Sequence, residues 1–553
     1  MIKENFVKLY EESFRNNWDL PALSDYNTKE TLHYKGFAKE IARLHILFGN
    51  LNIKRGDKIA LVGKNTINWC VVYIASVTYG AVIVPILQDF HPTNIQHITN
   101  HSDSEYLFVN DSIWDNMEES QMPALKGIFS LTDFSCIFDN CKKNIKGLLS
   151  NLDKLFEEKY PKGFSKEDII YADVDNSEVV LLNYTSGTTG FSKGVMLTAN
   201  NLAGNVTYAK TLDLLFRGDR VVSFLPLAHA YGCAFDFLYA LAEGVHTTLL
   251  GKSPSPKILS AAFAEIKPNL IVSVPLVIEK IYKKAILPKI EKSSIKMALK
   301  IPIVKERVHA QIRKGLIEAL GGSFVEVIIG GAAFNQEVED FLYKIKFPFT
   351  VGYGMTECAP LISYDHHYDF IPTSCGQVLK GIMEVRVDSP DPYNVLGEVQ
   401  VRGENVMKGY YKNPEATKEA FTEDGWLKTG DLGTLDENNR IYLRGRSKTM
   451  ILGASGQNIF PEEIEARLNN MPYVMESLVV VRDSKLVALV YPDYEAMDSS
   501  GISSTDLETI MDENKKTLNK MVSSYENISS IHVYPTEFEK TPKKSIKRYL
   551  YET

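Results

Sequence analysis

Apolar positions recur along this chain in two rhythms, and the rhythms alternate. "DKIALVG" (57–63) is a short apolar run, which predicts a buried strand. "NWCVVYIASVTYG" (68–80) is long enough for a buried helix ending on a glycine, and "AVIVPI" (81–86) is again a strand. The order repeats with a helical "PSPKILSAAFAEIKP" (254–268), a short strand "NLIVSVP" (269–275) and a helical "LVIEKIYKKAI" (276–286). "FVEVIIGG" (324–331) is a strand that runs into a glycine pair. Strand–helix–strand order of this kind predicts the α/β class with largely parallel sheets.

From Gly376 the texture changes. "GQVLKGIMEVRVDSP", "GEVQVRG" and "RIYLRG" are short alternating strands between turn residues, the pattern of an antiparallel barrel or ribbon. After Arg446 a smaller α+β unit is expected. Its helix "PEEIEARLNN" starts on Pro461, with Glu462 and Glu463 at the positive end of the helix dipole. The strands "ESLVVVRD" and "LVALVYP", the amphipathic helix 504–522 and the strand "SSIHVYP" follow.

Size and charge narrow the classes. A chain of 553 residues, 44% hydrophobic and 24% charged, is too long for one core. A net charge of -8 argues against a dedicated nucleic-acid binder. The longest apolar stretch, "WCVVYIASVTYGAVIVPIL" (69–87), is interrupted by Ser76, Thr78, Tyr79 and Gly80 and is not expected to span a bilayer. The N-terminus "MIKENFVKLYEESF" carries charges where a signal peptide has its apolar stretch. Six scattered cysteines (Cys70, Cys136, Cys141, Cys233, Cys358 and Cys375) show no disulfide framework, and a reducing cytoplasm is the simplest setting.

The chemistry concentrates in "VVLLNYTSGTTGFSKGVMLT" (179–198). A strand ends at Tyr184, a loop of Thr185, Ser186, Gly187, Thr188, Thr189, Gly190, Phe191, Ser192, Lys193 and Gly194 follows, and a second strand begins. Glycines let several backbone N–H groups aim at one point, and hydroxyls and a lysine add donors, so the loop suits a polyphosphate. It is not the common P-loop, because Gly194 follows the lysine and a strand follows the loop. Alone, a Ser/Thr/Gly turn at the surface fits the same residues. Four more segments stand beside it: "IIGGAAF" (328–334), "VGYGMTE" (351–357), "KTGDLG" (428–433) and "RGRSKTMILGASGQNIFPEEIE" (444–465).

With these five ordered motifs the chain, from about residue 30 to its end, resembles the adenylate-forming superfamily of acyl-CoA synthetases, peptide-synthetase adenylation domains and luciferases. It is most similar to the long-chain fatty acyl-CoA synthetases. The resemblance implies a large N-terminal part (1–447) of helix-flanked sheets with a distorted β-barrel, and a small mobile α+β part (448–553). It implies ATP, Mg2+ and CoA as partners in a two-step ligation: a fatty acid becomes an acyl-adenylate with release of pyrophosphate, and CoA then takes the acyl group.

By resemblance, Thr185, Ser186, Gly187, Thr188, Thr189, Gly190 and Lys193 grip the ATP phosphates. Gly330, Gly331 and Ala332 line adenine, and Tyr353, flanked by Gly352, Gly354 and Met355, stacks on it. Thr356 meets the phosphate, Glu357 holds Mg2+, Asp431, in a tight turn, accepts from the ribose hydroxyls, and Arg446 supports ribose or phosphate. His229, in "LPLAHAYG", orients groups beside the acyl pocket. Lys448 is the hinge, and "GASGQN" (453–458) faces the thiol.

The last motif departs from the family. There Thr-Pro, two residues, a lysine, an apolar residue, any residue and Arg are expected, whereas "TPKKSIKR" places Ser545 at the lysine. Serine supplies no charge. Lys544 is the adjacent substitute, and Lys543 or Lys547 share the face of Ser545 in an extended strand at about 6–7 Å. A carrier-protein-loading ligase and a half-active nucleotide- or acyl-binding relative are the alternatives. "SYDHHYDF" (363–370) reads as a polar loop near the pocket mouth rather than a metal site. Peripheral membrane contact fits a lipid substrate, and a homodimer stays open.

Overall fold

The computed structural model describes residues 2–141, 143–185, 192–252, 254–290, 292–452, 457–483, 485–541 and 545–552. Its largest sheet has eight strands, in the order Gly409–Tyr410, Lys193–Thr198, Val179–Thr185, Val82–Ile86, Lys58–Val62, Ser104–Val109, Gly127–Ser130 and Cys136–Asp139. The five inner strands, Val179–Thr185 to Gly127–Ser130, are parallel. The strands outside them are antiparallel, so parallel order holds at the centre only. Between Lys58–Val62 and Val82–Ile86 the chain crosses over as the helix Ile67–Tyr79. Thr66 Oγ1 caps it by accepting from Trp69 N, and Gly80 ends it at φ +90°. The helix buries nearly every side chain, which is why its sequence shows no polar stripe.

A second sheet orders Arg220–Ser223, His246–Leu249, Pro21–Asp25 and Thr31–His33. A third, parallel sheet joins Ile271–Ser273, Val327–Ile329 and Phe349–Val351. The barrel-like region combines the antiparallel sheet Met383–Asp388, Gly397–Gly403, Leu427–Leu435 and Ile441–Arg446 with the hairpin sheet Tyr353–Gly354, Leu361–Tyr364 and Gln377–Val378. A bridge from Gln377 to Arg440 links the two.

The buried core divides along the chain. One cluster draws its buried members from Phe6 to Ile441, and two smaller ones draw theirs from Ile459 to Tyr551. Polar contacts join the parts. Asn335 and Asn470 exchange amide hydrogen bonds at 2.8 and 3.0 Å, and Lys283 Nζ donates to the Asn469 carbonyl at the end of the helix Pro461–Leu468. Lys284 meets Glu495 at 3.3 Å.

One carboxyl in the large core yields a pH prediction. Glu339, on the helix Gln336–Lys344, is 5% exposed, and its Oε1 accepts from Thr373 N at 2.6 Å. Burial pushes its pKa from 4.5 up to about 7, against that hydrogen bond. The folded state thus holds the Glu339 proton more tightly than the unfolded chain. The resulting stabilisation, about 3 kcal/mol, is complete below pH 4.5 and is lost as pH rises through 7. Glu339→Gln should flatten this fall, so that urea unfolding at pH 5 and pH 8 differs less in the variant than in the parent chain.

Candidate functional site

Strands Val179–Thr185 and Lys193–Thr198 form a hairpin with Thr185 opposite Lys193. Lys193 thus opens a strand rather than closing a loop. Ser186, Gly187, Thr188, Thr189 and Gly190 lie outside the described residues. The hairpin is anchored on both sides. Tyr184 Oη is 2.8 Å from His101 Nδ1, and a Cβ at Gly194 would come within 3.0 Å of the Tyr184 ring.

On its outer side the edge strand Gly409–Tyr410 pairs with Met196 and Val195. Tyr411 N donates to Gly194 O, and Lys408 N to Met196 O. The same segment grips the turn Thr356–Cys358, because Met407 N donates to Glu357 O at 2.8 Å. Tyr410 then joins two candidate residues with one side chain. Its hydroxyl donates to Glu357 Oε1 at 2.9 Å, and Lys193 Nζ lies 4.9 Å from its ring centroid. Asn205 holds the turn from beneath, donating to Cys358 O and accepting from Leu361 N. Thr356 and Glu357 are buried at 5% and 9% exposure.

Next to this lies a bare backbone shelf. The strand Val327–Ile329 ends at Gly330, where a Cβ would be 3.1 Å from the Tyr231 ring, while Tyr231 Oη donates to Ile328 O. Gly331 follows at φ +88°, and Gly331 and Ala332 are exposed. Gly352 N donates to Ile329 O, and Gly354 admits the Pro360 carbonyl, which a Cβ would meet at 2.3 Å. Met355 N donates to that same carbonyl.

Tyr353 closes the other side. Its ring is buried, and its hydroxyl donates to Asp431 Oδ2 at 2.5 Å. Arg446 Nε reaches Asp431 Oδ1 at 3.2 Å from a largely exposed side chain. Asp431 is not in the tight turn expected from "KTGDLG" but within the long strand Leu427–Leu435. The strand slips register opposite Glu398 and Gln400, and Gly430 takes φ +74° at the slip. Such a bulge re-aims one side chain without ending the strand. Burial raises the Asp431 pKa, opposed by Arg446 and by the Tyr353 hydrogen bond.

His229 caps the short helix Ala230–Gly232, its Nδ1 accepting from Tyr231 N at 3.3 Å. The next turns, Cys233–Tyr239, are a π-helix, a rare form. Lys448 lies in an exposed turn held by Ser447 N to Gly430 O and Thr449 N to Arg446 O. Of "GASGQN", residues 453–456 lie outside the described residues.

The tail differs from the extended strand expected. Lys540 bridges Ile546, Thr541 N donates to Ser545 O, and Lys547 N donates to Glu539 O, so the segment doubles back as a hairpin. Its positive charges are mostly engaged. Lys540 pairs with Glu476 at 2.7 Å, Lys547 with Glu539 at 3.2 Å, and Arg548 with Glu465 at 2.8 Å. Lys547 thus meets a carboxylate in this arrangement, from a half-buried side chain. Lys543 and Lys544 lie outside the described residues.

In "SYDHHYDF", Asp365 pairs with Arg440 at 2.7 Å. Tyr364 Oη and His367 N both donate to Glu326, a buried residue the sequence did not mark. Among the described residues no three His, Cys, Asp or Glu gather as a metal site. Tyr410 was also missed, although "KGYYKN" places an aromatic pair between Gly409 and Lys412. Its role depends on cross-strand pairing, which that pattern does not encode.

Comparison with known proteins agrees with this layout. The family described as AMP-binding enzyme matches residues 10–411. A long-chain-fatty-acid–CoA ligase, FadD15, of Mycobacterium bovis is 28% identical over 550 residues, covering 90% of this chain and 86% of its own. A 4-coumarate–CoA ligase of Narcissus pseudonarcissus is also 28% identical, covering 93% and 87%. The crystal structure of ATP-bound MatB from Rhodopseudomonas palustris superposes with a TM-score of 0.76 at 21% identity, covering 99% and 98%. The fold is therefore that of the acyl-CoA synthetases.

Proposed function

Because the chain belongs to the AMP-binding enzyme family, and acid–CoA ligases are among its relatives, we propose that it activates a fatty acid, of long chain, with ATP and passes the acyl group to CoA. The observation that carries this reading is the meeting of Lys193 and Glu357 on one side chain, Tyr410, with Thr356 adjacent to Glu357 in the chain.

Thr185 and Lys193 flank the loop that grips the ATP phosphates. Gly330, Gly331 and Ala332, with Gly352, Tyr353, Gly354 and Met355, form the adenine side. Asp431 is buried as a hydrogen-bond acceptor and, with Arg446 beside it, receives the ribose hydroxyls. The donor set fits Mg2+: among the described residues Glu357 Oε2 has no hydrogen-bond donor, and Mg2+ is held by one or two carboxylates plus phosphate oxygens. When bound, the ion neutralises phosphate charge. Thr356 donates its hydroxyl to the α-phosphate, and Lys193 offers its ammonium group to the oxygens on which charge grows as the carboxylate attacks. His229, with Nδ1 accepting from Tyr231 N, orients the acid.

The two steps need different groups at one carbon. Residues 448–553 accordingly turn about Lys448 on the rest of the chain, a domain-closure motion. Ser545 favours one rival reading, in which adenylation is weak and the protein binds nucleotide or acyl ligand. Lys544 is the cation proposed to serve in its place.

The test is pyrophosphate release with ATP, Mg2+ and a panel of fatty and aryl acids, with and without CoA. Release that depends on a long-chain acid is the expected result, and dependence on an aryl acid instead would overturn the substrate. No release with any acid, together with conversion of supplied acyl-adenylate, would favour the rival reading. For the ribose site, Asp431→Asn should raise KM for ATP about tenfold, the loss of one charged hydrogen-bond acceptor. Steady-state kinetics checks this.

A further inference from the structure

Tyr410 is outside the motifs that mark the site, yet it touches two of them at once. It lies on the edge strand Gly409–Tyr410, opposite Val195 and two residues from Lys193 on the neighbouring strand. Three backbone hydrogen bonds pin the edge segment: Met407 N to Glu357 O, Lys408 N to Met196 O and Tyr411 N to Gly194 O. A Cβ at Gly409, at φ +137°, would meet Thr417 at 2.7 Å, and Thr417 Oγ1 in turn accepts from Tyr410 N. These contacts fix the backbone from which the ring projects. From there the ring places its hydroxyl 2.9 Å from Glu357 Oε1 and its face under Lys193 Nζ at 4.9 Å.

From this geometry we propose that Tyr410 is a positioning residue for Mg2+–ATP, fixing one oxygen of Glu357 so that the other is presented to the metal, while its ring holds Lys193 toward the phosphates. The inference rests on the reading of the site as an ATP site. A carboxylate on a flexible stem offers either oxygen in several orientations. A hydroxyl donor on Oε1 selects one and, among the described residues, leaves Oε2 without a donor, the arrangement in which outer partners of metal ligands commonly act. The ring adds an attraction for the ammonium group that does not neutralise it, unlike a carboxylate partner, so the lysine keeps its charge for phosphate.

Two variants separate the two contacts. Tyr410→Phe keeps the ring and removes the hydroxyl, and Tyr410→Leu removes both. The probes are Mn2+ binding, read by electron paramagnetic resonance in the presence of an α,β-methylene analogue of ATP, and calorimetric binding of the analogue without metal. Tyr410→Phe should weaken Mn2+ about tenfold and leave metal-free analogue binding unchanged, and raised Mg2+ should restore pyrophosphate release. Tyr410→Leu should in addition weaken metal-free analogue about two- to fivefold. If the parent chain binds analogue and Mn2+ and Tyr410→Phe binds Mn2+ equally well, the positioning role is refuted while the ATP site stands. If Tyr410→Phe loses thermal stability and analogue binding together, with no rescue by Mg2+, the residue is structural only and the proposal falls. If the parent chain itself binds neither probe, the ATP reading fails and this inference falls with it.

Discussion

Glu357→Gln should lower acid-dependent pyrophosphate release by about 10²–10³-fold, the scale seen when one preorganised electrostatic group is removed from a transition state. The substitution is nearly isosteric. The amide oxygen still accepts from Tyr410, and the backbone bond from Met407 is untouched, so the turn Thr356–Cys358 should keep its shape. What is lost is the negative charge of a mostly buried carboxylate whose printed hydrogen bond, among the described residues, is the one from Tyr410 to Oε1. An acid and a triphosphate are both anions, and their approach is the step that depends most on a cation held between them. Conversion of supplied acyl-adenylate by CoA involves no triphosphate and should fall far less. Equal loss in both half-reactions would mean that Glu357 supports the fold of the site rather than the metal.

The second large effect lies in the tail. Arg548 forms a forked pair with Glu465, Nη1 to Oε2 at 2.9 Å and Nη2 to Oε1 at 2.8 Å, and Nη2 also donates to Val479 O. Glu465 Oε1 accepts in addition from Val479 N. The side chains are only 18% and 11% exposed. Burial raises the Glu465 pKa despite the guanidinium, which shows how strongly this carboxylate depends on its partner. Arg548→Ala should cost about 3–5 kcal/mol, because a buried charge then stands alone. Urea unfolding followed through the residues after Ile459 measures it. Arg548→Met combined with Glu465→Leu should recover most of that stability, since two apolar residues of similar volume replace the pair. The arginine ties the end of the tail hairpin to the strand Val474–Arg482 and the helix Pro461–Leu468, so the single variant should also slow pyrophosphate release more than thiolysis of supplied acyl-adenylate. No change in stability would refute the anchor.

Much of this was legible from the linear chain because it depends on local rules. Apolar run length separated the buried helix Ile67–Tyr79 from its flanking strands, and Gly80 marked its end. The shift to alternating residues after Gly376 marked the antiparallel region, and a proline followed by two glutamates marked the helix Pro461–Leu468. The five motifs identified the family because glycine-rich turns next to strands are set by backbone conformation, which neighbouring residues encode.

The contacts that give individual residues their roles were decided by the tertiary structure. Asp431 was expected in a turn, but pairing with Gly397–Gly403 made it part of a bulged strand. In the tail, the bridge from Lys540 to Ile546 brings the two ends of the last motif together, and Lys547 meets Glu539. Glu326, Glu465 and Tyr410 drew no attention because a lone glutamate or tyrosine carries no periodic signal. Their partners are 38, 83 and 53 residues away. Burial and cross-strand register bring such pairs together, and both depend on the whole packed chain. The sequence alone determined the kinds of element, their order and the family chemistry; only the tertiary structure decided which charges meet, which are neutralised, and which oxygen of Glu357 accepts from Tyr410.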